Sequence, residues 1–190
     1  MSRTKLFIAT GIAALAFTPA ANAASSKQAP ASKQNCKKGQ KKGKCGPPAV
    51  KGRMTGHGTT TTSKGIVKYE FRNTICGSEA LPDLKVSRDT DRLDFRLTAY
   101  NSRPECFERF PGGEGHPVAG FDSMRGTGTG TLNGVPGATV SFQFTDRGEP
   151  GRSDLATITI MAPNGGGVVL SITDSPSDLG GNIQAHKSNQ

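Results

Sequence analysis

The sequence predicts an all-β fold, an antiparallel sandwich or a barrel-like sheet, in a single domain. Apolar and polar residues alternate along several short segments, as expected for strands with one buried face. Turn signals such as Asn133-Gly134 separate these segments. No segment shows a sustained helical period.

Each element follows from the alternation and from the turn residues beside it. The predicted strands lie at 66–72, 92–100, 140–144, 153–162 and 168–172. The residues predicted to face the core are Val67, Tyr69, Phe71, Leu93, Phe95, Leu97, Ala99, Val140, Phe142, Phe144, Ile158, Ile160, Val168, Leu170 and Ile172. Turns are also expected at Glu149-Pro150-Gly151 and Asp174-Ser175-Pro176. The β-domain is therefore expected over 53–187.

The N-terminus predicts export. Arg3 and Lys5 precede an apolar stretch, Leu6–Phe17, and the sequence Ala21-Asn22-Ala23 has the small-x-small pattern of a signal-peptidase site. We expect a signal peptide over 1–23 and a secreted protein, extracellular or associated with the cell wall. No segment reaches the length of about 20 apolar residues that a membrane-spanning helix needs.

Residues 24–52 form a predicted flexible arm rich in lysine, because they contain almost no residue able to form a core. The first acidic residue of the chain is Glu70. Clustered lysines bind anionic polymers by counterion release, so the arm is expected to contact anionic cell-wall polymers or another extracellular macromolecule. A solvated spacer is the alternative. No aromatic residue is interleaved with the lysines, so no specific nucleic-acid binding is expected. The candidate polyanion-binding residues are Lys37, Lys38, Lys41, Lys42 and Lys44.

The four cysteines of an exported chain predict disulfides, since the compartment is oxidising and no Cys-x-x-Cys pair occurs. Three connectivities are possible. We favour Cys36 with Cys45, which would close a loop around the lysine cluster, and Cys76 with Cys106, which would cross-link the core.

The segment Phe144–Asp154 (FTDRGEPGRSD) predicts a hairpin between two strands, with a tight turn at Pro150-Gly151. Its acidic residues are expected to pair with Arg147, Arg152 and backbone donors at the mouth of the hairpin. A calcium site made by the same carboxylates is the alternative. The residues of this motif are Asp146, Gly148, Glu149, Pro150, Gly151, Arg152 and Asp154.

Three segments together resemble a known family: Gly126–Gly134 (GTGTGTLNG), Asp146–Asp154 (DRGEPGRSD) and Gly180–His186 (GGNIQAH), with Met54–Gly58 as a weaker match. They are similar to the post-COAP-1 domain of secreted and surface proteins, chiefly of actinobacteria. The resemblance implies a β-rich extracellular module, and it offers no catalytic residues. The segment Cys76–Gly120 departs from the family's pattern.

No metal, cofactor or catalytic residue is predicted. His57, His116 and His186 lack the spacing of a zinc site. The leading interpretation is a secreted, non-catalytic β-module that mediates extracellular or cell-envelope contact, with a basic arm for weak polyanion binding. Two alternatives stay open. One is a structural domain that binds a protein partner. The other is a secreted hydrolase that uses acidic residues of the middle loops, for example Glu105 or Glu108 with Glu114.

Overall fold

The computed structural model describes residues 51–78, 82–111, 117 and 119–187. The predicted signal peptide, residues 24–50 of the lysine arm with Cys36, Cys45 and its candidate binding residues, and the last three residues lie outside them. Within the described residues no helix has the length and apolar character needed to cross a membrane. The strands are β1 (Gly52–Thr62), β2 (Gly65–Ile75), β3 (Leu84–Arg88), β4 (Leu93–Tyr100), β5 (Glu105–Phe107), β6 (Ser123–Leu132), β7 (Val135–Thr145), β8 (Leu155–Met161), β9 (Val168–Pro176) and β10 (Gly181–Lys187).

All strand pairs are antiparallel, which confirms the predicted fold class. The order across the sheet is β10-β1-β2-β3-β4-β6-β7-β8-β9, and the short β5 pairs with β6. The sheet curls so that its ends approach each other. The Thr59 amide donates to the Gly180 carbonyl (2.9 Å), and the Leu179 amide donates to the Thr59 carbonyl (3.2 Å). These bonds join β1 to the turn between β9 and β10.

The core lies between the two halves of this curled sheet. Phe144 of β7 stacks on two rings of β2, Tyr69 at 5.4 Å and Phe71 at 4.2 Å between ring centroids. Because β2 and β7 belong to opposite halves, these contacts cross the core and fix the two halves face to face. Most of the residues predicted to face inward are buried there.

Glycines occupy inward positions on β6 because atoms of the neighbouring strands β7 and β4 fill the space that a side chain would need. A Cβ atom at Gly126 would lie 2.6 Å from the Phe142 ring, and one at Gly130 would lie 2.1 Å from the Arg96 carbonyl oxygen. The alternating threonines of the Gly-Thr sequence consequently point outward. The Gly126–Gly134 segment thus owes its pattern to close packing against large neighbours.

Three local expectations are wrong. Ala99 is exposed, because the register shifts between Leu97 and Ala99 and reverses which side chains at the end of β4 face the core. Val168 is 56% exposed, at the end of β9 where the pairing with β8 shifts between Ile160 and Met161. The predicted turn at 174–176 belongs to β9, where the Asp174 amide donates to the Thr157 hydroxyl beside a bulge. The turn expected at Glu149-Pro150-Gly151 is present: the Gly151 amide donates to the Gly148 carbonyl (3.1 Å), and a second turn closed by the Asp154 amide follows it in the loop between β7 and β8.

Candidate functional site

An open groove of about 810 Å³ crosses the outward face of β10, β1, β2, β3 and β4. Strand alternation places it there: on β2, Val67, Tyr69 and Phe71 enter the core, so the residues between them line the outside. Its polar side chains include His57, Lys68, Glu70, Lys85, Arg96 and Asn182.

The strand registers place five of the groove residues in one line across the sheet. Asn182 lies opposite His57, His57 opposite Glu70, Glu70 opposite Lys85, and Lys85 opposite Arg96. With neighbouring strands ~4.8 Å apart, this line is roughly 19 Å long. We call it the cross-strand row. It begins with a neutral amide and ends with two cations.

The groove is more basic than the rest of the folded domain. It contains four basic side chains, Lys68, Arg72, Lys85 and Arg96, and two acidic ones, Glu70 and Asp94. Residues 51–190 as a whole have fifteen of each sign. The excess positive charge in the groove is therefore a local feature that attracts anions.

Ion pairs engage some of these charges and leave others available. The Glu70 carboxylate accepts a hydrogen bond from Arg72 (2.6 Å), which lowers the pKa of Glu70, so this side chain is ionised at neutral pH. Arg96 contacts Asp94 at 3.4 Å, and Lys68 contacts Asp89 at 3.3 Å. Among the residues that the structure describes, no carboxylate lies within ion-pair distance of Lys85.

Beside the groove, the carboxylates of the β7–β8 loop bind the free edge of β10. Asp154 accepts from the Ile183 amide (2.7 Å) and from the Arg147 amide (2.8 Å). Asp146 accepts from the Ala185 amide (2.9 Å) and from the Gly148 amide (2.9 Å). Since β10 pairs with β1 along its other edge, these bonds satisfy backbone donors that no strand reaches.

Glu149 extends the same contact to the outer face of β10. Its carboxylate accepts from the side-chain amides of Gln184 (2.9 Å) and Asn182 (3.3 Å). We call Asp146, Glu149 and Asp154 the acidic clasp. The hairpin motif and the C-terminal Gly-Gly-Asn-Ile-Gln-x-His motif are thus the two sides of one contact.

Burial dominates the electrostatics of the clasp. Asp154 is 0% exposed, and its loss of hydration raises its pKa to about 6 despite its two amide donors. Burial also raises the pKa of Asp146. The expected pairing with arginine is wrong: in the described part of the chain neither Arg147 nor Arg152 forms an ion pair with these carboxylates. The Arg147 guanidinium instead lies over the Phe110 ring, at 5.0 Å from its centroid.

The predicted disulfide between Cys76 and Cys106 is present, with the two Cα atoms 5.5 Å apart. Cys76 directly follows β2, and Cys106 is the middle residue of β5. The bridge therefore fastens the short β5 to the β1–β2 side of the domain.

His57 and His186 do not come together, since they lie opposite different residues along the β1–β10 pair. His57 is exposed in the groove, while His186 contacts the Thr55 hydroxyl at 2.9 Å, and His116 lies outside the described residues. Over the residues with a described structure, we find no group of three or more His, Cys, Asp or Glu side chains that is suited to a metal.

The acidic residues proposed for a hydrolase are only partly described. Glu105 forms an ion pair with Arg125 (2.8 Å) in which both side chains are more than 60% exposed. A shallow hollow of about 350 Å³ lies beside this pair. Glu114 lies outside the described residues, so the separation of the two carboxyl groups stays a prediction.

Comparison with known proteins gives no match: no family model fits the chain, and neither curated proteins nor solved structures show significant similarity to it. The resemblance to the post-COAP-1 domain therefore stays a prediction.

Proposed function

We propose that this protein is an exported, non-catalytic β-module that contacts anionic polymers of the cell envelope. The observation that supports this most directly is the basic groove across five strands of an otherwise electrically balanced domain. Charge complementarity of this kind steers a polyanion to one face of the protein. The Cys76–Cys106 disulfide fits a location outside the cytoplasm.

Binding suits the groove better than acid–base catalysis does. The pKa of Glu70 is lowered by its hydrogen bond with Arg72, whereas a general acid in a glycosidase needs a raised pKa. The carboxyl groups with raised pKa, Asp146 and Asp154, are buried and hydrogen-bonded to backbone amides through both oxygens. A polymer outside the domain has no access to Asp154. These two groups therefore serve the fold.

The lysine arm adds a second, less specific contact to anionic polymers of the envelope. Lysine is a point charge on a flexible stem, so the arm is expected to bind any dense polyanion. Because the arm and the domain are covalently linked, binding of one raises the effective concentration of the other. Together they provide salt-sensitive adhesion to the envelope.

A salt titration of teichoic acid binding by the mature chain tests the proposal. If about five arm lysines engage phosphates, affinity should fall by on the order of a few hundred-fold between roughly 50 and 200 mM salt. A full-length variant with glutamine at Lys37, Lys38, Lys41, Lys42 and Lys44 should lose most of this salt dependence. Absence of binding, or affinity that ignores salt, would contradict the proposal. Release of new reducing ends from an envelope glycan would contradict its non-catalytic part.

A further inference from the structure

We infer that the groove recognises a glycan in which negatively charged and neutral sugars alternate, lying across the strands along the cross-strand row. This inference rests on the proposed function and assigns a separate ligand chemistry to the folded domain. The arm, by contrast, is suited to dense polyanions. The two parts of the chain would thus bind different features of the envelope.

The order of charges along the row favours a ligand whose negative charges are separated by neutral segments. Lys85 and Arg96 are directly opposite each other on β3 and β4, so one carboxylate can contact both cations. The next position, Glu70, is anionic and hydrogen-bonded to Arg72. A ligand that follows the row must therefore place its anionic group at one end and a neutral segment over Glu70.

A polyanion with closely spaced charges does not match this order of charges along the row. A nucleic-acid strand carries one phosphate every ~3.4 Å, so several phosphates would lie within the roughly 19 Å of the row. Some of them would lie against Glu70 or Asp94, and like charges at such distances repel. The acidic residues of the groove consequently select against dense charge, although the net charge of the groove is positive.

The other end of the row is built for hydroxyl groups. The side-chain amides of Asn182 and Gln184 each donate one hydrogen bond to Glu149, and this contact orients them on β10. An oriented amide keeps a second N–H and its carbonyl oxygen for a ligand. His57 and Thr55 on the neighbouring strand add further donors and acceptors. A neutral sugar presents the matching hydroxyl groups.

The test uses the full mature chain and three probes: hyaluronan oligosaccharides, in which a uronic acid alternates with a neutral sugar; polyphosphate, which is densely charged; and dextran, which is neutral. The groove variant is Lys85→Gln with Arg96→Gln. The matched control is Lys64→Gln with Arg152→Gln, which removes the same charge from exposed positions outside the groove. All four side chains point outward, so melting curves should show that each variant folds.

We expect the groove variant to bind hyaluronan roughly tenfold more weakly than the control, since two exposed ionic contacts are removed. Polyphosphate binding should change equally in the two variants, and dextran should bind neither. Unchanged hyaluronan affinity in the groove variant, or an equal loss in the control, would overturn the inference. If the native chain binds polyphosphate but no hyaluronan, the inference fails while the proposed function stands. If it binds neither polyphosphate nor teichoic acid, the proposed function fails as well.

Discussion

The substitution Asp154→Asn tests the electrostatics of the acidic clasp, because it keeps the size of the side chain and removes its titration. Asp154 is 0% exposed and its pKa is about 6, compared with the usual 3.8. The native state therefore binds a proton more readily than the unfolded chain does. The stabilisation that results is complete below the unfolded pKa and is lost as the pH rises through the native pKa.

The expected magnitude follows from these two pKa values. Between about pH 7 and pH 5, protonation of Asp154 should raise the free energy of unfolding by about 1.3 kcal/mol. Asparagine at this position does not titrate, and it leaves one of the two bound amides without an acceptor. The free-energy difference between the native chain and the variant should thus widen by the same amount on acidification.

Urea unfolding of both proteins at pH 7 and at pH 5 measures this difference. Asp174→Asn is a matched control: its ion pair with Arg109 lowers the pKa of Asp174, so its contribution is lost only in stronger acid. Between pH 7 and pH 5 the free energy of unfolding of this control should change by the same amount as that of the native chain. The reasoning is refuted if the difference in free energy of unfolding between the native chain and the Asp154→Asn variant is the same at both pH values, since Asp154 would then be ionised throughout.

Three further outcomes concern stability and are measured by chemical or thermal unfolding. Tyr69→Phe removes a buried hydrogen bond to the Ser177 hydroxyl (2.8 Å) and should cost about 1 to 3 kcal/mol, but little in a Ser177→Ala background. Reduction of Cys76–Cys106 should cost roughly 3.7 kcal/mol by chain entropy, and an unchanged midpoint would contradict this. Gly130→Ala would place a Cβ atom 2.1 Å from a β4 carbonyl oxygen and should cost about 1 to 3 kcal/mol, unlike alanine at an outward threonine of β6.

The fold class and most of the core could be predicted because they depend on local alternation. Val67, Tyr69 and Phe71 enter the core as expected, since they precede the bulge of β2 and this part of the strand keeps its period of two. Ala99 could not be placed correctly, because one extra residue in β4 reverses the alternation. A bulge depends on both paired strands, and single-strand periodicity does not contain that information.

The cross-strand row could not be predicted from the sequence. Each of its members is an ordinary polar residue at an outward position of its own strand. Their alignment depends on four strand registers at once, and a shift of one residue in any pair would break it. The signal in the sequence is limited to Glu70 and Arg96, which alternate with apolar residues on β2 and β4.

The hairpin motif shows why charge alone misled the prediction of partners. Its acidic and basic residues suggest ion pairs within the loop, yet Asp154 and Asp146 bind amides of β10 that lie 29 and 39 residues further along the chain. Buried carboxylates gain most from donors that are already fixed in place, and backbone amides of an edge strand are such donors.

The acidic clasp also occupies the free edge of β10, the last strand, and so opposes pairing with a strand from another molecule. The free edge of β10 exposes alternate backbone donors, and a strand from another molecule would need those of Ile183 and Ala185 in order to pair. Asp154 and Asp146 occupy both. Glu149, from the same loop, orients the amides that line one end of the groove. One loop therefore blocks strand addition at this edge and positions part of the candidate binding surface, so substitutions in the loop are expected to affect both properties together.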